Sequence, residues 1–132
     1  AAKKLSNVSR TQQKAFSREL SILKAVKHTN IVQLLGFSQS GGVLTLYSEL
    51  CEGGCVFDLV HGSQIDLLLS QRCTMIMDLA LAMEYLHGLS RQVIHRDLKS
   101  LNLLLSKPMC FRSDTPCLKI CDFGSARMKK NS

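Results

Sequence analysis

Two polar clusters a short way apart constrain this chain more than any other feature. The first runs His95-Arg96-Asp97-Leu98-Lys99-Ser100-Leu101-Asn102, and the second is Asp122-Phe123-Gly124. One loop therefore holds a carboxylate, an ammonium and an amide, and a later turn supplies a second carboxylate. Short apolar runs frame both clusters: Val93-Ile94 enters the loop, Leu103 to Leu105 leaves it, and Leu118 to Cys121 arrives at the turn. They read as short strands, the last two around a connection from Ser106 to Cys117. Four fixed letters at the offsets of the first cluster arise by chance in about one chain per thousand of this length, and the downstream triplet takes the odds to roughly one in ten to the fifth.

Such a set fits phosphoryl transfer, where a hydroxyl must be positioned and phosphate charge neutralised through Mg²⁺.

At 132 residues the chain holds one domain at most, and 45% hydrophobic content with 20% charged residues describes a globular sequence. The formal charge of +7 raises the question of nucleic acid. The basic residues, however, are scattered (Lys3, Lys4, Lys14, Lys24, Lys27, then Lys129 and Lys130) and are not interleaved with aromatics, which argues against that partner. Cysteines 51, 55, 73, 110, 117 and 121 contain no Cys-x-x-Cys pair and read as reduced thiols of a cytoplasmic protein. Cys110, Cys117 and Cys121 lack the ligand spacing of a zinc site. No signal-like apolar start is present. The most apolar stretch, Leu67 to Leu89, is interrupted by Arg72, Asp78 and Glu84 and is no membrane span.

Thr11 to Lys27 reads as an amphipathic helix with Phe16, Leu20, Leu23 and Val26 on one stripe. Glu19 falls on that stripe; taken alone it reads as a boundary residue that bends out to water, and only beside the two motifs does it call for a cation, with Lys3 the obvious partner. Ile31 to Phe37 and Val43 to Glu49 read as strands joined by the turn Gln39-Ser40-Gly41-Gly42. Glu49 to Gly54 looks like a linker, and Cys55 to His61 like a short helix. Ser70 to His87 reads as a second helix, capped by Ser70, stopped by Gly88 and apolar nearly all round, so a buried position is expected.

The spacing His-Arg-Asp-Leu-x-x-x-Asn followed by Asp-Phe-Gly resembles the eukaryotic protein kinase catalytic domain. Lys99-Ser100 and the run Leu118-Lys119-Ile120-Cys121 before Asp122 are most similar to its tyrosine-kinase-like serine/threonine group, which includes mixed-lineage and Raf-like kinases. The resemblance implies an α+β, bilobal fold truncated at both ends: a small-lobe remnant over 1–48, a hinge over 49–54, and the start of the large lobe over 55–132. The Gly-rich phosphate loop would precede Lys3, and the Ala-Pro-Glu end of the activation segment would follow Ser132.

Residue by residue, the resemblance implies that Lys3 holds the ATP phosphates and pairs with Glu19, with Lys4 still an alternative. Glu49 and Cys51 would bind adenine through their backbones, Ser48 would close the pocket behind it, and Leu104 would lie beneath it. Asp97 would take or orient the hydroxyl proton, Lys99 would stabilise the transferred phosphoryl group, and Asn102 and Asp122 would hold Mg²⁺. Leu23, Leu34, His95 and Phe123 match the apolar column that links the lobes. Arg96 would pair with a phosphate added by an upstream activating kinase. The implied substrates are Ser and Thr hydroxyls of proteins. The competing expectation is a catalytically silent, kinase-like binding or dominant-negative module, and residues 1–132 alone are expected to be inactive and marginally folded.

Overall fold

Ser9 sets the start of the first helix. Its backbone is extended, its Oγ accepts the Gln12 N–H at 3.3 Å, and Gln12 Oε1 accepts the Ser9 N–H at 2.9 Å. That reciprocal cap satisfies two donors the helix cannot, a stabilisation of about 1 kcal/mol. The helix, α1, covers Arg10–Ala25. It ends short of the expected Lys27 because Val26 turns extended and the Lys27 N–H donates to Tyr85 Oη at 2.9 Å. Phe16, Glu19 and Ile22 form its buried stripe.

The computed structural model describes residues 1–6, 8–62 and 65–129. Lys130, counted above among the tail lysines, lies outside them. The other elements are β1 (Ala2–Leu5), β2 (Leu34–Ser40), β3 (Val43–Ser48), α2 (Val56–His61), α3 (Leu69–Gly88), β4 (Val93–Ile94), a 3₁₀ turn (Ser100–Asn102), β5 (Leu103–Leu105), β6 (Leu118–Ile120) and β7 (Arg127–Met128). The architecture is α+β, as expected.

β1, β3 and β2 form an antiparallel sheet in that order. The β2–β3 reversal is tighter than the four-residue turn expected. Gln39 and Ser40 are still paired, and only Gly41 and Gly42, at φ 55° and 75°, make the bend. Both angles are left-handed, which is why glycine occupies both places. β2 begins at Leu34, later than the sequence pattern suggested. The preceding residues pair elsewhere: Ile120 N–H donates to Asn30 O at 2.8 Å and Val32 N–H to Ile120 O at 3.0 Å. α1 lies on the sheet through Phe16, Leu44 and Leu46, with Leu20, Leu23 and Leu34 packed around them.

α3 corrects one expectation. Ser70 is not its cap; the helix starts at Leu69, and the Leu68 N–H is taken by Gln71 Oε1 at 2.9 Å. Its apolar surface, expected to be covered only within a larger helical body, is open at Leu69, Ile76, Met77 and Leu81, whereas Met75, Ala82 and Leu86 face inward. Gly88 is its last residue, and the chain turns extended at Leu89. Ile22 and Val26 from the α1 side meet Ala82, Leu86, Val93, Ile120 and Phe123 in the largest core, so this core bridges the sheet body and the helical body.

Two short ladders carry the site. β5 pairs antiparallel with β6 in the register Leu103↔Ile120 and Leu105↔Leu118, which brings Asn102 and Asp122 to the same end of the hairpin. β4 pairs with β7, a strand that no sequence pattern announced. The Ser106–Cys117 connection is ordered by side chains. Gln71 Nε2 donates to Arg112 O and Asp114 O, the Asp114 carboxylate accepts the Cys110 and Phe111 N–H groups, and Met109 is buried.

Candidate active site

A cavity of about 340 Å³ opens between the sheet and the helical body. Leu34 and Leu46 wall it on the sheet side, Ser48 to Cys51 along the connecting strand, Leu104 on the helical side, and Lys3, Glu19, Asn102 and Asp122 at the polar end. The volume falls in the range of small-molecule sites. Cys51 and Cys121 also line it. Burial is the main cause that pushes both thiols up, Cys121 to about 11.

The hinge is held against β5 by its backbone. Gly53 N–H donates to Leu105 O at 3.0 Å, and Leu105 N–H to Gly54 O at 2.9 Å. A Cβ at Gly53 would run into the Lys107 carbonyl oxygen and Leu105 Cβ, so this approach requires glycine. The sequence reading saw a break in pattern at these glycines; the reason is the closeness of the two backbones.

Lys3 projects from β1 into the polar end. Its Nζ lies 3.0 and 2.9 Å from the two Glu19 oxygens and 3.3 Å from Asp122 Oδ1. Burial alone would lower its pKa, but the hydrogen bond to Glu19 and the charges of Glu19 and Asp122 outweigh it and leave the ammonium above its ordinary value. Lys4 is paired with Thr45 in the ladder and so lies on the opposite face of the strand. Of the two lysines left open by the sequence, Lys3 is the one that meets Glu19.

The catalytic-loop residues form a second, connected group. Asn102 is buried, and its Nδ2 donates to Asp97 O at 2.9 Å and to Asp97 Oδ2 at 3.1 Å. Both partners are acceptors, which fixes the amide orientation and turns Oδ1 away from them. Lys99 Nζ lies 2.9 Å from Asp97 Oδ2. The Lys99 hydrogen bond, aided by its charge and by Asn102, holds the exposed Asp97 carboxyl below its ordinary range. Asp97 and Lys99 stand outside the cavity wall and reach it through Asn102.

His95 is buried, its Nε2 is 3.0 Å from Cys121 O, and its ring meets Phe123 edge-on at 5.0 Å. Leu23 packs against the core that contains Phe123 and, with Leu34, against the sheet core. Arg96 Nε donates to Ser125 O at 2.9 Å. Arg127 Nη1 reaches the same carbonyl at 3.1 Å. Desolvation, followed by the like charges of Arg18 and Arg96, lowers the Arg127 pKa, so three guanidiniums share one region. Of the three, only Arg96 belongs to a sequence motif; Arg18 and Arg127 carry no motif signal.

The donor set suits a hard divalent cation. Asp122 Oδ1 is engaged by Lys3 and by the Gly124 N–H at 3.2 Å, which leaves Oδ2, and Asn102 offers its Oδ1. Among the described residues there is no cluster of three or more His, Cys, Asp or Glu side chains with metal-binding geometry, so Cys110, Cys117 and Cys121 form no metal centre. No helix among them is long and apolar enough to cross a membrane.

Between its sheet and its helical part the α+β body carries a cleft lined by Lys3 and by the carboxylates of Glu19, Glu49 and Asp122. The chain belongs to the protein kinase family, whose domain profile matches residues 1–132. It is 39% identical over 116 residues to kinX of Dictyostelium discoideum, named as a probable serine/threonine-protein kinase, covering 88% of this chain and 10% of that protein. It is 35% identical over 119 residues to the serine/threonine-protein kinase CTR1 of Arabidopsis thaliana, covering 89% and 14%. It is also 35% identical over 125 residues to the receptor protein kinase WSS1 of Oryza sativa subsp. japonica, covering 91% and 13%. The chain thus spans about a tenth to a seventh of the length of these curated relatives.

Proposed function

We propose that this chain is the nucleotide-binding and catalytic-loop part of a protein serine/threonine kinase that moves the γ-phosphate of ATP to Ser and Thr hydroxyls of protein substrates. The observation that carries the reading is that the Lys3–Glu19–Asp122 ion-pair chain shares one cavity end with Asn102, whose amide is bonded to the Asp97 carboxylate that Lys99 holds just outside the wall. Separately each is a polar cluster; together they supply phosphate charge, cation ligands and a proton acceptor.

In this reading Lys3 meets the α- and β-phosphates, and Glu19 holds its ammonium in place. The hinge binds adenine through backbone groups of Glu49 and Cys51, with Leu104 beneath the ring and Ser48 at the rear wall. Asn102 and Asp122 are the residues that would hold Mg²⁺, which neutralises phosphate charge when bound. Asp97 is ionised at neutral pH, as an ordinary carboxylate is and with Lys99 holding it lower still, and so can orient and accept the hydroxyl proton. Lys99, released from Asp97 by an incoming hydroxyl, is close enough to share the charge that develops there.

Ser125 O draws Arg96 and Arg127 together near Arg18. That concentration of positive charge supports control by a phosphate placed nearby by an upstream kinase. Six free cysteines support a reducing, cytoplasmic setting.

The deciding experiment is incorporation of γ-labelled phosphate into protein by a full-length parent that carries this chain, with Mg-ATP, run beside Asp97→Asn. Label transfer that depends on Asp97 is expected. Equal transfer by both proteins would remove the proposed mechanism, and no transfer by either would remove the activity.

A further inference from the structure

Lys119 has no part in the site described above, yet it makes the most thoroughly desolvated ion pair in the described chain. It sits mid-strand in β6 with 12% of its side chain exposed. Its ammonium donates to Thr29 O at 2.7 Å and to Glu49 Oε1 at 3.0 Å. Glu49 is the first residue after β3, where the hinge begins. The same Oε1 accepts the Gln33 N–H at 2.8 Å, and the Glu49 N–H donates to Gln33 O at 3.0 Å. Main chain and side chain of this one hinge residue are therefore both fixed to Gln33, and Lys119 ties that pair to the loop after α1 and to β6.

β6 does not need this side chain to stay in place. Its backbone is held by the Ile120 and Val32 hydrogen bonds to the Asn30–Val32 segment and by its ladder with β5, and Asn30 Nδ2 donates to Leu118 O at 2.8 Å. What the Lys119 ammonium adds is a grip on the hinge carboxylate. We infer that Lys119, acting through its ion pair with Glu49, is a positioning residue that holds the hinge backbone from Glu49 to Cys51 in one conformation facing the cavity. The inference rests on the nucleotide reading proposed above, since that backbone is the part expected to meet the adenine.

Removing a nearly dry ammonium leaves its carboxylate partner under-solvated, and the pair's shared geometry is lost. The hinge then samples several arrangements, and the apparent affinity falls in proportion to the fraction that remains competent. Asp97, Asn102 and Asp122 have separate anchors, so the effect belongs in binding and not in turnover.

Lys119→Met keeps the length of the stem and deletes the charge. In the full chain, its Kd and KM for Mg-ATP should rise about tenfold while kcat stays within about twofold, as expected when the competent fraction drops to about a tenth. Hydrogen exchange at the Gln33 and Glu49 amides should quicken, and Lys119→Arg should recover most of the affinity. Should Lys119→Met fail to fold, Lys119→Gln keeps a donor for Thr29 O, drops the charge and carries the same expectations. Unchanged exchange at both amides would overturn the inference, as would a fall in kcat and melting temperature with Kd unmoved. A wild-type protein that neither binds nor turns over Mg-ATP would overturn the kinase reading instead, and the exchange measurement would still decide the role of Lys119.

Discussion

Lys3 Nζ stands between two carboxylates from opposite ends of the chain, Glu19 at 2.9 Å and Asp122 at 3.3 Å. Glu19 belongs to α1 and Asp122 to the turn after β6, so one ammonium records the alignment of the helix, the sheet and the helical body. The unequal exposures sharpen the point. The Glu19 side chain is 7% exposed and the Lys3 side chain 47%, which leaves the lysine accessible to a ligand while the glutamate stays dry.

Lys3→Met should therefore do two things. It removes the cation that a phosphate would meet, so turnover should drop at least about 10²-fold, as for other groups aimed at developing charge. It also leaves Glu19 buried without its partner, at a cost of about 1–3 kcal/mol. Urea unfolding and Mg-ATP titration of wild type and variant measure the two effects separately. A variant with wild-type stability and turnover would show that the pair is incidental.

Asp97→Asn tests the loop. The amide is isosteric, and an oxygen remains to accept from Asn102, so the fold should persist. Loss of the proton acceptor should lower kcat by about 10²–10⁴ with Mg-ATP affinity little changed. Circular dichroism, nucleotide titration and single-turnover transfer together read out fold, binding and chemistry.

Lys99 bears on the choice of hydroxyl. Lys99-Ser100 resembles the serine/threonine pattern, and Lys99 is paired with Asp97 at 2.9 Å, beside the position an incoming hydroxyl would take. Phosphoamino-acid analysis of labelled product should give phosphoserine and phosphothreonine. Phosphotyrosine as the main product would contradict the assignment.

The folds of the two bodies were legible in the sequence for different reasons. Periodicity and turn residues carried α1, the β2–β3 hairpin and the helix through Ala82, because these elements bury one face locally. Boundaries failed where a long-range partner took over: Ile31 and Val32 leave the β2 pattern for β6, and Tyr85 ends α1 by claiming the Lys27 amide. Motif spacing carried Asp97, Asn102 and Asp122, and the Lys3–Glu19 pair came with the family resemblance, since a carboxylate on an apolar stripe alone reads as one that bends out to water. Arg18, Arg127 and Lys119 carried no signal, since each matters through a partner far away in the sequence.

The thiol lining the cavity before Asp122 gives a pH prediction. Burial is the main cause that raises Cys121 to about 11, so the folded state keeps the proton that an unfolded thiol loses near the ordinary value of about 9. Its contribution to stability should be complete below that ordinary value and should decline as the pH rises through about 11. Iodoacetamide at pH 8 should label the exposed Cys73 and Cys110 well before Cys121, with mass spectrometry reading the order. Early labelling of Cys121 would contradict its burial.

Two non-glycine residues in the signature motifs hold left-handed backbones, Arg96 at φ 66° and Asp122 at φ 60°. Each conformation costs of order 1 kcal/mol or more and persists because neighbours such as Ser125, Lys3 and Gly124 hold it there. For laboratory evolution this means that heat resistance and catalysis pull in opposite directions at these positions. A library screened on melting temperature alone would drift toward glycine or asparagine at residue 96, with a guanidinium lost for each winner. On the role proposed for Arg96, a screen that also demands phosphate transfer would return the strained arginine.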